Sequence, residues 1–252
     1  MSAPRRVTEC ASVVLAPNPG PMTLDGTNTW VLRAPDATAC VVVDPGPLDE
    51  GHLASVAACG PVDTILLTHG HHDHSEGAAR LAELTGASVR ALDPAHRLGD
   101  EGLDEGDVVA AAGIELRVAA TPGHSSDSLS FLLTGPQNGQ AVLTGDTILG
   151  RGTTVVAHPD GVLADYLASL RRLRELGDVT VLPGHGPELP SAGVVAEQYL
   201  LHREQRLDQV RAALASGATT AREVVEIVYA DVDRALWPAA TLSVLAQLDY
   251  LR

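Results

Sequence analysis

Lysine is absent from this chain, and all 17 basic residues are arginine. The absence excludes Schiff-base catalysis by a lysine amine, and it excludes a P-loop phosphate site, which depends on a lysine. Acidic residues outnumber the arginines, since 32 of them leave a formal net charge of −15 at pH 7. A surface of that sign repels polyanions, so we do not expect the chain to bind DNA.

Paired cysteines and long apolar runs are also lacking. The three cysteines, Cys10, Cys40 and Cys59, are odd in number and share no motif spacing, which argues against a disulfide framework and favours a reducing compartment. No apolar run approaches the roughly 18 residues that a transmembrane helix needs. No uninterrupted apolar segment follows Arg5 and Arg6, as a secretory signal would require. We therefore expect a cytoplasmic protein that does not associate with membranes.

The chain does contain a series of short apolar runs, each ending in a turn or small residue and then a polar one. Such runs, rich in β-branched residues and bounded by Gly and Pro, predict buried strands. The polar residues that follow them are Asp44, His69, His124, Asp146 and His185. Helical patterns over residues 75–85 and 160–176 lie between the runs, which indicates layers of helix and sheet. The polar residues thus fall on loops at strand ends, where folds commonly place their chemistry.

The pattern changes after about residue 190, where strand-like runs stop. We predict a long helix over residues 191–215, a second helix opened by a capping box of Thr220 and Glu223, and a third with Pro238 in its first turn. The third helix is expected to turn a leucine stripe inward, formed by Leu242, Leu245, Leu248 and Leu251. We therefore divide the chain into a main domain, residues 1–190, and a small helical appendage, residues 191–252.

The strongest chemical signal is the run THGHHDHS at residues 68–75, which contains the pattern H-x-H-x-D-H. Alternate residues of an extended segment point to one side, so His69 and His71 are predicted to share a metal ion. Asp73 and His74 are then expected to face a second ion beside the first. Imidazole and carboxylate are the donors that Zn²⁺ prefers, and Mn²⁺ or Fe²⁺ would also be accepted.

Three further residues complete the predicted ligand set, and each follows an apolar run and a glycine: His124, Asp146 and His185. A glycine lets the backbone approach closely, which is how a loop delivers a ligand into a crowded site. We predict that His69, His71 and His124 form one site and that Asp73, His74 and His185 form the other. Asp146 is predicted to bridge the two, with one oxygen for each ion.

Other polar residues are interpreted more simply. We expect the remaining histidines to be surface or core residues rather than ligands; they are His52, His72, His96, His158 and His202. Asp44 is interpreted as a turn residue before Pro45 and Gly46, with support of a ligand histidine as its alternative role. Asn28 and Thr29 are interpreted as structural residues at the start of a strand.

Together, the H-x-H-x-D-H run, the later P-G-H, the G-D and the final G-H resemble the motifs of the metallo-β-lactamase superfamily, over roughly residues 8–190. The resemblance implies an α+β fold, a four-layer αβ/βα sandwich, with the metal ions between the two sheets at the strand ends. Three segments also resemble the narrower β-lactamase-like-protein-2 family: residues 18–30, residues 122–128 and the HREQR run at 202–206. Members of that family are dinuclear zinc hydrolases with a winged-helix-like tail, and the animal ones act as endoribonucleases on single-stranded RNA.

These observations predict a hydrolase with two zinc ions per chain, in which a hydroxide bridging the metals attacks an ester, thioester, lactone or phosphodiester. Asp73 is expected to accept a hydrogen bond from that hydroxide and to aim it, which makes it a catalytic residue as well as a ligand. Two alternatives stay open: an endoribonuclease acting on single-stranded RNA, and an iron-dependent oxidoreductase similar to the persulfide dioxygenases. Residues 195–252 hold eight acidic and six arginine side chains, so the tail is not a basic patch, and it is equally compatible with a homodimer contact.

Overall fold

A computed structural model of the chain describes residues 3–136 and 139–252, and Met1, Ser2, Gln137 and Asn138 lie outside the described residues. The described part contains one sheet of six strands and one of five. The first sheet follows chain order, with β1 (Arg5–Arg6), β2 (Ala11–Leu15), β3 (Asn28–Leu32), β4 (Cys40–Val43), β5 (Val62–Leu66) and β6 (Ser88–Arg90). Strands β1 to β4 pair antiparallel, and β4, β5 and β6 pair parallel.

The second sheet contains the remaining strands, which are β7 (Val108–Ala111), β8 (Ile114–Ala120), β9 (Leu129–Thr134), β10 (Gln140–Gly145) and β11 (Thr180–Pro183). They lie in the order β11-β10-β9-β8-β7, antiparallel except for the parallel pair β10–β11. The helices are α1 (Glu50–Ala57), α2 (His72–Ser75), α3 (Ala78–Thr85), α4 (Leu163–Arg174), α5 (Ala192–Ala215), α6 (Ala221–Val228) and α7 (Trp237–Tyr250). Short 3₁₀ turns cover Pro94–His96 and Arg234–Leu236.

Alternating side chains explain why the sheets form layers. In β4, Val41 and Val43 belong to the core between the two sheets, while Val42 joins the cluster under α1 and α3. This follows from the two-residue period of a strand, which sends successive side chains to opposite faces. Strand β10 behaves likewise, since Leu143 faces the other sheet and Val142 faces α4. The sequence of layers is helix, sheet, sheet, helix, which confirms the predicted four-layer arrangement.

The three C-terminal helices form where the sequence predicts them. Ser191 caps α5, and Thr220 and Glu223 form a complete capping box at the start of α6. Helix α5 belongs to two clusters: its first half packs with α4, and its second half, with Val210 and Ala213, packs with α6 and α7. Because one continuous helix serves both units, the boundary between residues 190 and 191 stays a prediction.

Two details of the helical prediction are wrong. The pattern over residues 75–85 forms two helices, since α2 begins earlier, at His72, and α3 begins only at Ala78. In α7 the buried face does not follow the predicted leucine stripe, because Leu242 is 38% exposed while Ser243, Val244 and Gln247 are buried. Leu248 and Leu251 are partly buried against the helical cluster, so the inward face is rotated from the predicted one and takes in only part of the stripe.

The arrangement of strand ends brings the predicted chemistry to one edge of the sandwich. The loops that follow β5, β8, β10 and β11 carry the polar residues that the sequence analysis singled out. Among residues 3–136 and 139–252, none of the helices combines the length and the hydropathy that a bilayer crossing requires.

Candidate metal centre

All seven predicted ligands come together at this edge. His69 and His71 lie in the loop after β5, Asp73 and His74 lie in α2, and the later loops contribute His124, Asp146 and His185. Their donor atoms form three overlapping groups, each with its atoms within 4.8 Å of one another. Residues far apart in the chain therefore meet in one compact cluster, as the motif spacing predicts.

The first group is built from three imidazoles. Nδ1 of His71 lies 3.1 Å from Nε2 of His69 and 3.0 Å from Nε2 of His124. His69 and His124 are buried, and His71 is half-buried. The group thus presents three nitrogen atoms to one point, from two loops that belong to different sheets.

The second group contains one carboxylate and two imidazoles. Nε2 of His185 lies 3.1 Å from Nε2 of His74 and 3.1 Å from Oδ2 of Asp73. Nε2 of His74 is 3.5 Å from the same Asp73 oxygen. The side chain of Asp73 is 30% exposed, against 10% for Asp146, so Asp73 lies on the open side of the centre.

Asp146 stands between the two groups, with one oxygen toward each. Its Oδ1 lies 3.4 Å from Nε2 of His74 and 3.4 Å from Nε2 of His185, whereas Oδ2 lies 3.8 Å from Nε2 of His124. Oδ1 is buried and has no hydrogen-bond partner among the described residues. In the metal-free fold its positive neighbours are the rings of His74 and His185, which do not meet hydrogen-bond geometry, so a cation held between these rings would give the buried oxygen a direct partner.

Contacts behind the rings determine which nitrogen of each imidazole carries the proton. Nδ1 of His74 lies 2.9 Å from a carboxylate oxygen of Asp44, Nδ1 of His185 lies 3.1 Å from the carbonyl oxygen of Gly26, and Nδ1 of His124 lies 2.7 Å from that of Val155. Carbonyl and carboxylate oxygens only accept hydrogen bonds, so Nδ1 donates in all three rings. When the ring is neutral, each Nε2 is then left with a lone pair that faces the centre.

His69 is oriented by a relay through Thr68. The hydroxyl of Thr68 lies 2.7 Å from Oδ2 of Asp44, to which it donates, and 3.0 Å from Nδ1 of His69. Because its one proton goes to the carboxylate, the hydroxyl accepts from His69, which leaves Nε2 of His69 bare. Asp44 therefore acts on two ligand histidines, which is the supporting role that the sequence analysis weighed beside a simple turn.

Burial and neighbouring charges set the protonation of the cluster. Burial, together with the adjacent histidines, lowers the pKa of His69 and of His71. Burial opposes ionisation of Asp146, but His185 and His74 outweigh it and hold the pKa of Asp146 well below its usual range. Burial also opposes protonation of His185, but the adjacent Asp146 and Asp73 outweigh it and raise its pKa to about 9. In the same way Asp146 and Asp44 raise the pKa of His74 against the effect of burial.

These observations fit a pair of divalent cations. Ligands at about 2.0–2.1 Å in a tetrahedron lie roughly 3.3 Å from one another, which matches the separations within both groups. In the first group the bare Nε2 atoms of His69 and His124 lie 3.1 and 3.0 Å from Nδ1 of His71, and a cation between the three rings would bind all of these nitrogens. The orphaned Asp146 oxygen at the second group points to the same conclusion.

Close backbone approach makes this geometry possible. A Cβ on Gly184 would lie 2.7 Å from Oδ1 of Asp146 and 2.7 Å from Cε1 of His74. A Cβ on Gly145, whose φ is +47°, would lie 2.5 Å from the Thr68 hydroxyl. The glycines before Asp146 and His185 are thus required by packing, as the motif predicts.

Some neighbouring residues stand apart from the ligand set. His52 is buried and hydrogen-bonded to Thr29 at 2.8 Å, His72 is exposed, and His158 lies 3.4 Å from Asp249. Nε2 of His96 packs against Gly70, and a Cβ added to Gly70 would lie only 2.3 Å from that nitrogen. Asn28 does more than start a strand: its amide donates to the carbonyls of Pro183 and Gly186, which hold the loop that carries His185.

A cavity of about 300 Å³ opens from the centre toward the C-terminal helices. His124 and Asp146 line it at the metal end, and His202, Arg203 and Arg206 of α5 line it as well. Sequence reasoning missed this role of α5. The only signal was the HREQR run at 202–206, which carried a family resemblance without a chemical role.

Comparison with known proteins agrees with the geometry. The sequence profile of the metallo-beta-lactamase superfamily matches residues 22–185, and that of the beta-lactamase associated winged helix domain matches residues 220–252. In the second region the described residues form helices only. A metallo-beta-lactamase family protein from Thermus thermophilus has a similar structure, with a TM-score of 0.79 and 25% identity over 96% of this chain and 93% of the other.

Two relatives are similar over most of their length. A beta-lactamase-like protein 2 homolog of Caenorhabditis elegans is 32% identical over 240 residues, which cover 90% of this chain and 78% of the relative. An atrochrysone carboxyl ACP thioesterase of Aspergillus fumigatus is 35% identical over 240 residues, which cover 86% of this chain and 72% of the relative. From the matched profiles, the shared fold and these similarities, the chain belongs to the metallo-beta-lactamase superfamily, with the associated winged helix domain at its C-terminal end and beta-lactamase-like protein 2 homologues among its relatives.

Proposed function

We propose that the chain is a hydrolase that holds two zinc ions and cleaves a thioester or ester. The observation that carries the proposal is Asp146, whose Oδ1 lies 3.4 Å from Nε2 of His74 and of His185 and whose Oδ2 lies 3.8 Å from Nε2 of His124, so that its two oxygens face different ligands of one cluster. His69, His71 and His124 would hold one ion, and Asp73, His74 and His185 the other. Two such ions supply an activated water and a Lewis acid for the bond to be broken.

The protein's own residues contribute orientation and proton control. Asp44, Thr68 and the carbonyls of Gly26 and Val155 hold the imidazole rings with their lone pairs inward, so little reorganisation accompanies the reaction. Asp73 lies on the open side of the cluster, with its Oδ2 toward His74 and His185. Its other oxygen would accept a hydrogen bond from the attacking water and orient it.

A thioester is favoured by one relative, and the size of the cavity is compatible with a small acyl substrate. One relative is named as a thioesterase acting on an acyl carrier protein, and it is 35% identical to this chain. The cavity beside His124 and Asp146 has a volume of about 300 Å³, at the lower end of the range for small-molecule sites. In hydrolysis, water adds its oxygen to the carbonyl carbon, the carbon–sulfur bond breaks, and an acid and a free thiol form.

Cleavage of single-stranded RNA is a second candidate. It is favoured by the match to the winged helix profile over residues 220–252 and by the likeness to beta-lactamase-like protein 2 homologues. Against it stands the composition of the tail, since residues 195–252 carry eight acidic side chains and six arginines.

Metal analysis combined with a substrate panel tests the proposal. Elemental analysis is expected to find about two zinc ions per chain, and a thiol reagent is expected to detect cleavage of short acyl thioesters. His69→Ala is expected to abolish cleavage and to lower the zinc content. His72→Ala changes a neighbouring but exposed imidazole and serves as the matched control with normal activity.

Three results would overturn or redirect the proposal. Equal activity of the His69→Ala variant and the wild type would show that the metal centre takes no part in the reaction. Cleavage of labelled RNA but not of thioesters or esters would establish the nuclease instead. About one iron ion per chain would support the oxidoreductase alternative.

A further inference from the structure

The cavity beside the metal centre has an unusual cationic wall. Arg203 and Arg206 lie one helical turn apart on α5, and both line the cavity with His202. Many of the other lining residues are apolar, among them Pro21, Met22, Leu24, Val232 and Leu236, while Thr153, Thr154, Ser243 and Arg151, which pairs with Asp25, are polar. The cavity is therefore lined by ligands of the metal centre at one end, and by apolar side chains and two guanidinium groups along its wall.

Arg203 is almost completely buried yet incompletely bonded. It is 3% exposed, its Nη2 donates to the carbonyl of Thr154, and its guanidinium lies 4.9 Å from the centre of the Tyr166 ring. Its Nε is buried and has no partner among the residues that the structure describes. A buried guanidinium normally has its donors satisfied, so this unused donor calls for an acceptor from outside the chain.

Arg206 has free donors as well. Its Nη1 donates to Gln209 and to the carbonyl of Val228, and the group lies 4.6 Å from the centre of the Tyr229 ring. Neither Arg206 nor Arg203 forms an ion pair with a carboxylate in residues 3–136 or 139–252. Among the other 15 arginines, nine form ion pairs within the described residues and six do not, so the position of Arg203 and Arg206 on the cavity wall is what sets them apart.

The pKa of His202 is affected by the positive charge of this wall. Burial and the two adjacent guanidinium groups lower the pKa of His202 to about 4, so its ring is neutral at pH 7. Its Nδ1 is buried without a hydrogen-bond partner in the described part of the chain. A neutral ring beside two unpaired arginines offers a further hydrogen bond to an anion and adds no charge of its own.

We infer that Arg203, Arg206 and His202 form an anion subsite, which selects thioester or ester substrates that carry a carboxylate or phosphate separated from the scissile bond by a short apolar segment. Planar guanidinium groups bind these two oxyanions in the same bidentate manner. The apolar wall would hold the connecting segment, and a volume of about 300 Å³ admits one such small-molecule arm. The inference rests on the proposed function, since it names the substrate of the same centre.

Arg203 also has a positioning role, which affects the choice of variant. The carbonyl of Thr154 accepts from Arg203, and the hydroxyl of Thr154 lies 3.2 Å from Nδ1 of His124. Removal of Arg203 would therefore disturb the segment that orients a ligand histidine. Arg206 has no contact of this kind with the centre, so Arg206→Gln is the cleaner test. Arg211→Gln is the matched control, because Arg211 lies on the same helix, is exposed, and pairs with Asp208 away from the cavity.

Three probes distinguish the two sources of the anion. They are the hexanoyl thioester of N-acetylcysteamine, which is neutral, its adipoyl counterpart, with a carboxylate on the acyl side, and hexanoyl-phosphopantetheine, with a phosphate on the thiol side. At least one charged probe is expected to exceed the neutral one by about tenfold or more in kcat/KM, and Arg206→Gln is expected to reduce that ratio toward one. The Arg211→Gln variant is expected to keep the ratio.

Binding is measured separately from cleavage. Amide analogues of the three probes, in which nitrogen replaces the thioester sulfur, are titrated by calorimetry into wild-type and variant protein. Tighter binding of a charged analogue that depends on Arg206, without any cleavage, would support the anion subsite and refute the proposed function. Equal binding of charged and neutral analogues in wild type and Arg206→Gln would overturn the inference, while thioester cleavage would still support the proposed function.

Discussion

The carboxylate of Asp44 lies 2.9 Å from Nδ1 of His74 and directs the ring of that histidine toward the metal centre. Asp44 adopts a φ of +53° at the end of β4, a conformation that is unfavourable for most residues. Its Oδ1 also accepts from the backbone of Thr68, at 2.8 Å. The strained backbone is thus held by hydrogen bonds that connect Asp44 to the start of the H-x-H-x-D-H loop.

Asp44→Asn is expected to weaken zinc binding by about 10- to 100-fold, as measured by competition with a chromophoric chelator. An amide keeps one acceptor oxygen, and in either orientation its NH2 group faces a donor, which is the backbone N–H of Thr68 in one and the Thr68 hydroxyl with Nδ1 of His74 in the other. The support of the His74 ring by Asp44 is therefore weakened. Asp63→Asn is the control, since Asp63 is exposed and accepts only from the backbone of Ala112. Equal affinity of both variants would show that Asp44 is only a turn residue.

Zinc is expected to stabilise the protein more strongly as the pH rises from about 6.5 to about 9. The pKa of His185 is raised to about 9 in the metal-free fold, by Asp146 and Asp73 against the effect of burial, whereas an unfolded histidine has a pKa near 6.5. The proton on His185 stabilises the metal-free fold fully below about pH 6.5, and this stability is lost as the pH rises through about 9. Zinc must displace that proton, so its binding is most hindered at low pH.

At each pH, one calorimetric scan is run at a fixed concentration of free zinc and one without zinc. The effect is the difference between the two Tm values. The difference is expected to increase across this pH interval. A difference that stays constant or decreases would contradict the proposed protonation of the second group.

Gly184→Ala is expected to destabilise the metal-free protein by on the order of 1–3 kcal/mol and to reduce zinc content. The added methyl would lie 2.7 Å from both Asp146 and His74, two buried residues that would have to shift. Gly51→Ala is the control, because its methyl would meet only Asp49, at 3.4 Å, within helix α1. Urea unfolding of both variants provides the comparison, and similar free energies of unfolding would refute the packing argument.

Much of the centre could be predicted from local sequence because its ligands follow strand ends. A strand with a two-residue period, a glycine and a metal donor are adjacent in the chain, so the pattern of His124, Asp146 and His185 is visible without a structure. The support given by Asp44 was harder to predict. It depends on the parallel pairing of β4 with β5, which places Asp44 beside Thr68.

The cavity wall could not be predicted in this way. Arg203 and Arg206 lie more than 15 residues beyond the last ligand in the chain, and they line the cavity because α5 packs against α4. Leu242 shows the same limit, since a helical stripe predicts which residues share a face but not which face is buried.

The most direct test of the central claim is anomalous diffraction at the zinc edge from crystals of the zinc-loaded protein. The account predicts two peaks about 3.5–4 Å apart. One would lie among the nitrogens of His69, His71 and His124, the other among Asp73, His74 and His185, with an oxygen of Asp146 on each. A single peak, or zinc bound away from Asp146, would contradict it.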